Sequence, residues 1–163
     1  MFIAIVLRHP VRIDAIHRLA DAWIAAPTAT RERVGELLAV FHAERTAAGL
    51  APVPDCPIIR ECFVGANAGQ ARAVSRGPLL YKYEAYASWG QTDTGSASLA
   101  ERFDEFSAER FLVGDAAAVR DELTRYREEL GTDHLLLRVQ WPGLALPDAL
   151  GNIERIGRVV AGL

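Results

Sequence analysis

Residues 111–143, FLVGDAAAVRDELTRYREELGTDHLLLRVQWPG, hold a strand, a helix and a second strand in succession, and their reading decides the fold. Phe111 to Val113 is a short apolar strand. Gly114-Asp115 then opens a helix: Asp115 is suited to accept from the first unpaired backbone N–H groups, and Val119, Leu123, Tyr126 and Leu130 recur at the spacing of one helix face. Gly131 stops that helix, because the left-handed conformation after a helix end carries no steric cost for glycine. His134 to Trp141 supplies the next strand, and Pro142-Gly143 turns the chain.

The same alternation extends towards the N-terminus. Met1 to Leu7 reads as a buried strand, Arg12 to Ala20 as a helix with Ile13, Ile16, His17 and Ala20 on one stripe, and Ala22 to Ala26 as a second strand ending at Pro27. Thr28 or Thr30 caps the next helix, on which Val34, Leu37, Leu38 and Phe41 recur, and Gly49 stands where a left-handed cap belongs. Ile58 to Val64 is another strand. Ala66 to Ala87 is helix-compatible but contains Gly77-Pro78, which predicts two helical pieces. Gly90 to Ser98 is a polar loop, and Leu99 to Phe106 returns to helix. Beyond Pro142-Gly143, Pro147 opens a last helix with Leu150, Ile153 and Val160 on its apolar stripe. Near-continuous apolar strands joined by helical crossovers predict a parallel sheet covered by helices.

Length and composition bound what such a sheet can be. With 163 residues there is room for one domain, 1–163, and a (β/α)8 barrel of eight full units needs at least about 200 residues. No glycine-rich phosphate fingerprint follows the first strand, which counts against a doubly wound nucleotide-binding fold. The net charge of −3 offers no excess of positive charge for a nucleic acid, and the longest apolar runs are too short to span a bilayer. Lys82 is the only lysine. Cys56 and Cys62 are the only cysteines; on one strand they would lie roughly 20 Å apart, beyond disulfide reach. The thiols are expected to stay reduced in a cytoplasmic setting.

Two segments of the opening stretch, Phe111-Leu-Val-Gly-Asp115 and Leu130-Gly131-Thr-Asp133-His134-Leu-Leu-Leu-Arg138-Val-Gln140-Trp141-Pro142-Gly143, resemble the C-terminal end of the luciferase-like monooxygenases. Arg18-Leu-Ala-Asp21-Ala-Trp23-Ile-Ala-Ala-Pro27-Thr28 and Pro57-Ile-Ile-Arg60-Glu61-Cys-Phe-Val64 resemble that family's middle strands, in collinear order. The resemblance implies a (β/α)8-type fold, reduced flavin or deazaflavin as cofactor, and a chain corresponding to the last four to five units of the barrel. It also implies that the family's usual catalytic histidine or cysteine positions lie in the half not represented. The family's flavin phosphate commonly meets a Gly/Ser turn where this chain has Leu7-Arg8-His9-Pro10, so FMN or deazaflavin is expected to bind weakly or not at all.

Arg138, Gln140 and Trp141 end a strand, where barrel folds place their active sites, and are the candidate substrate-binding residues. The structural alternative is that Arg138 pairs with Glu61 or another carboxylate inside the layer while Trp141 fills core. Arg60 and Glu61 fall on opposite faces of their strand, which favours an internal ion pair over an acid/base dyad. Arg8, His9 and Arg12 offer cationic donors to a cofactor phosphate, or form a solvated loop. Tyr81, Tyr83, Tyr86 and Trp89 make an aromatic cluster, for packing or as a lid over a flat ring. His17, His42 and His134 have no partner at i+4 and no cysteine pair has zinc spacing, so no metal site is expected.

The expectation is therefore a partial TIM-barrel-like α/β domain of four to five βα units. Its function would be the flavin- or deazaflavin-dependent oxidation of a small organic substrate; the alternative is a non-redox small-molecule-binding or recruited half-barrel protein that lacks flavin and acts as an oligomer. Open sheet edges and an uncovered apolar face predict a homodimer or a complex with a separately encoded partner, with an interface above about 2,000 Å².

Overall fold

In the computed structural model the residues described are 4–7, 22–53, 56–90, 98–132 and 134–163. They form strands β1 (Ala4–Leu7), β2 (Ala22–Ala25), β3 (Ile58–Val64), β4 (Phe111–Gly114) and β5 (Leu135–Arg138). The helices are α1 (Arg31–Ala47), α2 (Ala68–Ser88), α3 (Leu99–Ala108), α4 (Ala116–Leu130) and α5 (Leu146–Val160). All strand pairings are parallel, in one five-stranded sheet. The expected helix over Arg12 to Ala20 and most of the loop after Gly90 lie outside the described residues.

The strand order is not sequential, and the register explains why. Glu61 of β3 pairs with Phe111 of β4 and also with Arg138 of β5, so these two strands occupy opposite edges of β3. Ile58 pairs with Ala25 of β2 and with Leu135 of β5. Strands β1, β2, β3 and β5 therefore form one continuous run, while β4 pairs with the C-terminal part of β3 on the β2 side. The strand–helix–strand unit that opens the sequence reading thus straddles β3 instead of forming an adjacent pair.

Local chemistry sets most element ends. The Thr30 side chain accepts from the Arg33 amide and starts α1; Asp115 accepts from the Ala118 amide at 3.0 Å and starts α4. Gly131 ends α4 at φ +65° and Gly49 follows α1 at φ +67°, conformations that a side chain would strain. Helix α2 departs from expectation, because it runs unbroken through Pro78. A proline inside a helix costs about 3 kcal/mol. Here Ala71, Ser75, Leu79 and Tyr83 are buried at four-residue intervals on both sides of it. Burying Leu79 and Tyr83 returns roughly 1.5–3 kcal/mol each, and Gly77 has no Cβ to meet the proline ring.

Side chains alternate between the two faces of the sheet. Trp23, Ala25, Ile58, Cys62 and Val64 pack with Val34 and Phe41 of α1 and Val119, Leu123 and Tyr126 of α4. Phe63 and Phe111 pack with Leu79 and Tyr83 of α2 and Phe103 and Phe106 of α3 on the other face. That second face is covered only towards the C-terminal end of β3, for Ile24 and Ile59 stay partly exposed and Leu136 is exposed.

Strand β5 is shorter than the expected His134 to Trp141, ending at Arg138. Beyond it, α5 takes over the edge of β3. The buried Asn152 side chain accepts from the Val64 amide and donates to the Cys62 carbonyl, both at 2.8 Å, and Arg155 donates to the Val64 carbonyl. An amide side chain here supplies the donor and acceptor that another strand would offer. This docking also corrects the expected apolar stripe of the last helix. Ala149, Asn152 and Val159 are the buried positions, whereas Leu150, Ile153 and Val160 are 53%, 51% and 49% exposed.

Candidate functional site

Glu61 occupies the position where β3, β4 and β5 meet, on the face that α2 and α3 partly cover, and is fully buried. Its carboxylate accepts from Lys82 Nζ at 3.0 and 3.2 Å, from Tyr83 Oη at 3.0 Å, from Arg138 Nη2 and from Trp141 Nε1. Lys82 and Tyr83 come from the C-terminal half of α2, Arg138 from the last position of β5, and Trp141 from the segment just before the Pro142-Gly143 turn. Trp141 departs from strand alternation because β5 has already ended, so it reaches the same carboxylate as Arg138.

Electrostatics make Glu61 an anchor and not a base. Every direction of its carboxylate faces a donor, and two of the donors are cations. A buried carboxylate is tolerated only when it is paired and hydrogen-bonded in this way. Burial pushes the Tyr83 phenol pKa up, and the Glu61 charge adds to that. Burial pulls Arg138 down most strongly, but the Glu61 charge together with Tyr83 and Tyr86 turns the net shift upward. One carboxylate against Lys82 and Arg138 leaves one positive charge in excess.

Arg138 carries that excess to the surface. Its side chain is about a third exposed, Nη1 lies 3.4 Å from Tyr86 Oη, and Nε is buried with no partner among the described residues. Tyr86 packs edge-on against Tyr83 and tilts against Trp89, and Lys82 lies over the Tyr86 ring. The aromatic cluster therefore divides: Tyr83 is core, Tyr86 flanks the cationic group, and Tyr81 and Trp89 are exposed. Of the candidate substrate residues, Arg138 and Trp141 converge on Glu61, while Gln140 is exposed beyond the strand. Arg8, His9 and Arg12 lie outside the described residues.

Two participants escaped the sequence reading, Lys82 and Asn152. A sole lysine on a helix whose other charges are mostly arginine was the available signal for the first, and an asparagine on an otherwise apolar helix flank for the second. Arg60, on the opposite face, is also fully buried. It donates to Tyr126 Oη and to the carbonyls of Ile59 and Ala26, lies over the Tyr126 ring, and has no carboxylate partner among the described residues. Both arginine and glutamate of the Arg60-Glu61 pair are thus buried by helices, on opposite sides of the sheet.

No family model and no curated protein sequence matches the chain. Solved structures do. Monooxygenase RslO1 from Streptomyces bottropensis superposes with a TM-score of 0.77 at 18% identity, over 98% of this chain and 47% of its own. The fold is that of the luciferase-like monooxygenases. The oxygenating constituent of 3,6-diketocamphane monooxygenase from Pseudomonas putida, solved in complex with FMN, matches at TM-score 0.68 and 18% identity, over 98% of this chain and 48% of its own. The coenzyme F420 dependent tetrahydromethanopterin reductase from Methanopyrus kandleri matches at 0.68 and 14%, over 99% and 50%. The chain spans about half the length of these luciferase-like neighbours, consistent with a partial barrel. No described helix is long and apolar enough to cross a membrane.

Proposed function

We propose that this chain takes part in flavin- or deazaflavin-dependent oxidation of a small organic substrate. The observation that carries the reading is the Arg138 group: an anchored, partly exposed cation at the C-terminal end of a parallel strand, where barrel folds assemble their sites. The donor set fits a flavin ring, whose pyrimidine edge becomes anionic on reduction and is favoured by a nearby cation. Arg138 and Lys82 would face that edge, Glu61 would hold Arg138 in place, and Gln140 would border the substrate side, whereas Trp141, expected to contact substrate, is buried core that donates to Glu61. When bound, the cofactor would supply the oxidative chemistry; this chain's residues would orient it and exclude water. Arg8, His9 and Arg12 would meet its phosphate. The setting would be cytoplasmic, which suits Cys62, a buried thiol.

A second reading, a small-molecule-binding protein without redox chemistry, draws support from the Leu7-Arg8-His9-Pro10 segment, which lacks the small residues that let a backbone approach a phosphate. Titration with FMN, riboflavin and a deazaflavin, followed by flavin fluorescence, separates the two. Saturable binding is expected, weaker than in full-length luciferase-like enzymes, reduced by Arg138→Met for all three compounds and by Arg8→Ala or Arg12→Ala for the phosphorylated ones only. Absence of saturable binding to any of the three would leave the non-redox reading.

A further inference from the structure

Helix α5 presents two different faces. Ala149, Asn152 and Val159 are buried and hold it to the protein. Beside them Leu146, Leu150, Ile153, Gly157 and Val160 follow one another at intervals of four, three, four and three residues. That is the spacing of a helix–helix seam, and all five positions are exposed, Leu146 most at 65%. Gly157 costs the helix about 1 kcal/mol relative to alanine, yet a Cβ there would meet nothing within 4 Å. Among the described residues nothing crowds this position, so the chain's own packing does not call for a glycine. At the C-terminal end of the seam an apolar groove of about 180 Å³ opens between Leu123 and Arg127 of α4, Leu135 and Leu137 of β5, and Val160 and Leu163.

We propose that α5 pairs antiparallel with α5 of a second copy of this chain, forming a twofold dimer. The seam mirrors itself about Arg155: Ile153 and Gly157 stand two residues to either side, Leu150 and Val160 five, and Leu146 and Leu163 nine and eight. An antiparallel pair centred there sets Ile153 of each copy over Gly157 of the other, Leu150 against Val160, and Leu146 against Leu163 and the groove. A twofold contact requires this pattern, since residue i must meet j while j meets i. The absent side chain of Gly157 gives Ile153 its space and lets the backbones approach. Opposed helix dipoles favour the same sense. A different polypeptide would not need the seam to mirror itself, and that symmetry selects the second copy.

The area is adequate. Leu146, Leu150, Ile153, Val160 and Leu163, each about half exposed or more, offer apolar surface on the order of 500 Å² per copy. Two copies bring about 1,000 Å². Homodimer interfaces are about 65% apolar, so the whole contact comes to about 1,500 Å², the size of a stable specific interface. None of these residues belongs to the Glu61 cluster, so the pairing stands or falls independently of flavin binding.

Sedimentation velocity of the 163-residue chain at micromolar concentration should give a mass twice 17.8 kDa. Gly157→Glu sets a charge against Ile153 of the other copy while giving α5 a better helix former. It should raise the dissociation constant at least about tenfold and leave the circular dichroism spectrum unchanged. Ile153→Arg should weaken the pair in the same way. Orientation is read by mild oxidation of engineered thiols, Cys56 and Cys62 being buried. Leu150→Cys and Val160→Cys should each stay unlinked alone, because an antiparallel pair holds like positions ten residues, or about 15 Å, apart. Mixed together, the two variants should link. A wild-type chain that sediments as a monomer, a dimer unmoved by both seam substitutions, disulfide linkage of Leu150→Cys by itself, or association only with a different polypeptide would each overturn the proposal.

Discussion

Replacing Glu61 with glutamine removes one negative charge and almost no volume, so the outcome isolates the electrostatics of the buried cluster. The wild-type carboxylate accepts from Lys82, Tyr83, Arg138 and Trp141. A glutamine offers one oxygen and turns an NH2 group towards donors, leaving two cations without their counter-charge. Breaking a buried ion pair in this way costs about 3–5 kcal/mol. Lys82 is nearly buried and Arg138 is about a third exposed, so water relieves part of the penalty and the expected loss is about 3 kcal/mol, at the lower end of that range. Against a total stability of about 5–15 kcal/mol this is a large fraction. Urea unfolding followed by tryptophan fluorescence measures it, with Glu61→Gln/Lys82→Met as the partner variant. Removing one stranded cation should restore at least about 1 kcal/mol relative to additivity. A loss below about 1 kcal/mol for Glu61→Gln, or strictly additive single and double variants, would refute the view of Glu61 as a charge-compensated anchor.

Two further outcomes follow from the buried polar groups. Asn152→Leu leaves the Val64 amide and the Cys62 carbonyl without partners; at roughly 1–3 kcal/mol for each orphaned group, a loss near 3 kcal/mol is expected by chemical denaturation, and a loss within experimental scatter would mean that β3 finds another edge partner. Burial pushes the Cys62 thiol from 9.0 up to about 12, so iodoacetamide should label it at neutral pH only after unfolding. Because the folded state holds that proton and the unfolded state releases it above pH 9, stability should fall with rising pH between about 9 and 12, by up to about 1.4 kcal/mol per pH unit. Cys62→Ala should flatten this slope up to pH 10, above which the raised Tyr83 phenol acts with the same sign; an unchanged slope in pH-resolved melts would remove Cys62 as its source.

Element identity was legible wherever the deciding interaction closes within a few residues. Asp115 reaches the Ala118 amide, Thr30 the Arg33 amide, and Gly131 needs only its own backbone freedom. The apolar spacing of Val34, Leu37, Leu38 and Phe41 likewise states which face α1 buries. The opposite faces of Arg60 and Glu61 follow from strand alternation, and the Glu61–Arg138 pair was one of the partnerships the residues allowed. What local rules could not reach depends on neighbours remote in the chain. Helix α2 persists through Pro78 because the sheet and α3 bury it on both sides of the proline. Strands β4 and β5 are separated because β3 has two edges and each takes one. Trp141 meets Glu61 because β5 stops where Asn152 begins to serve the same edge. Short-range capping and periodicity are written in the sequence as spacing; the convergence of Glu61, Lys82, Tyr83, Arg138 and Trp141 exists only after the sheet has set its register, because no spacing along the chain encodes which edges and faces will meet.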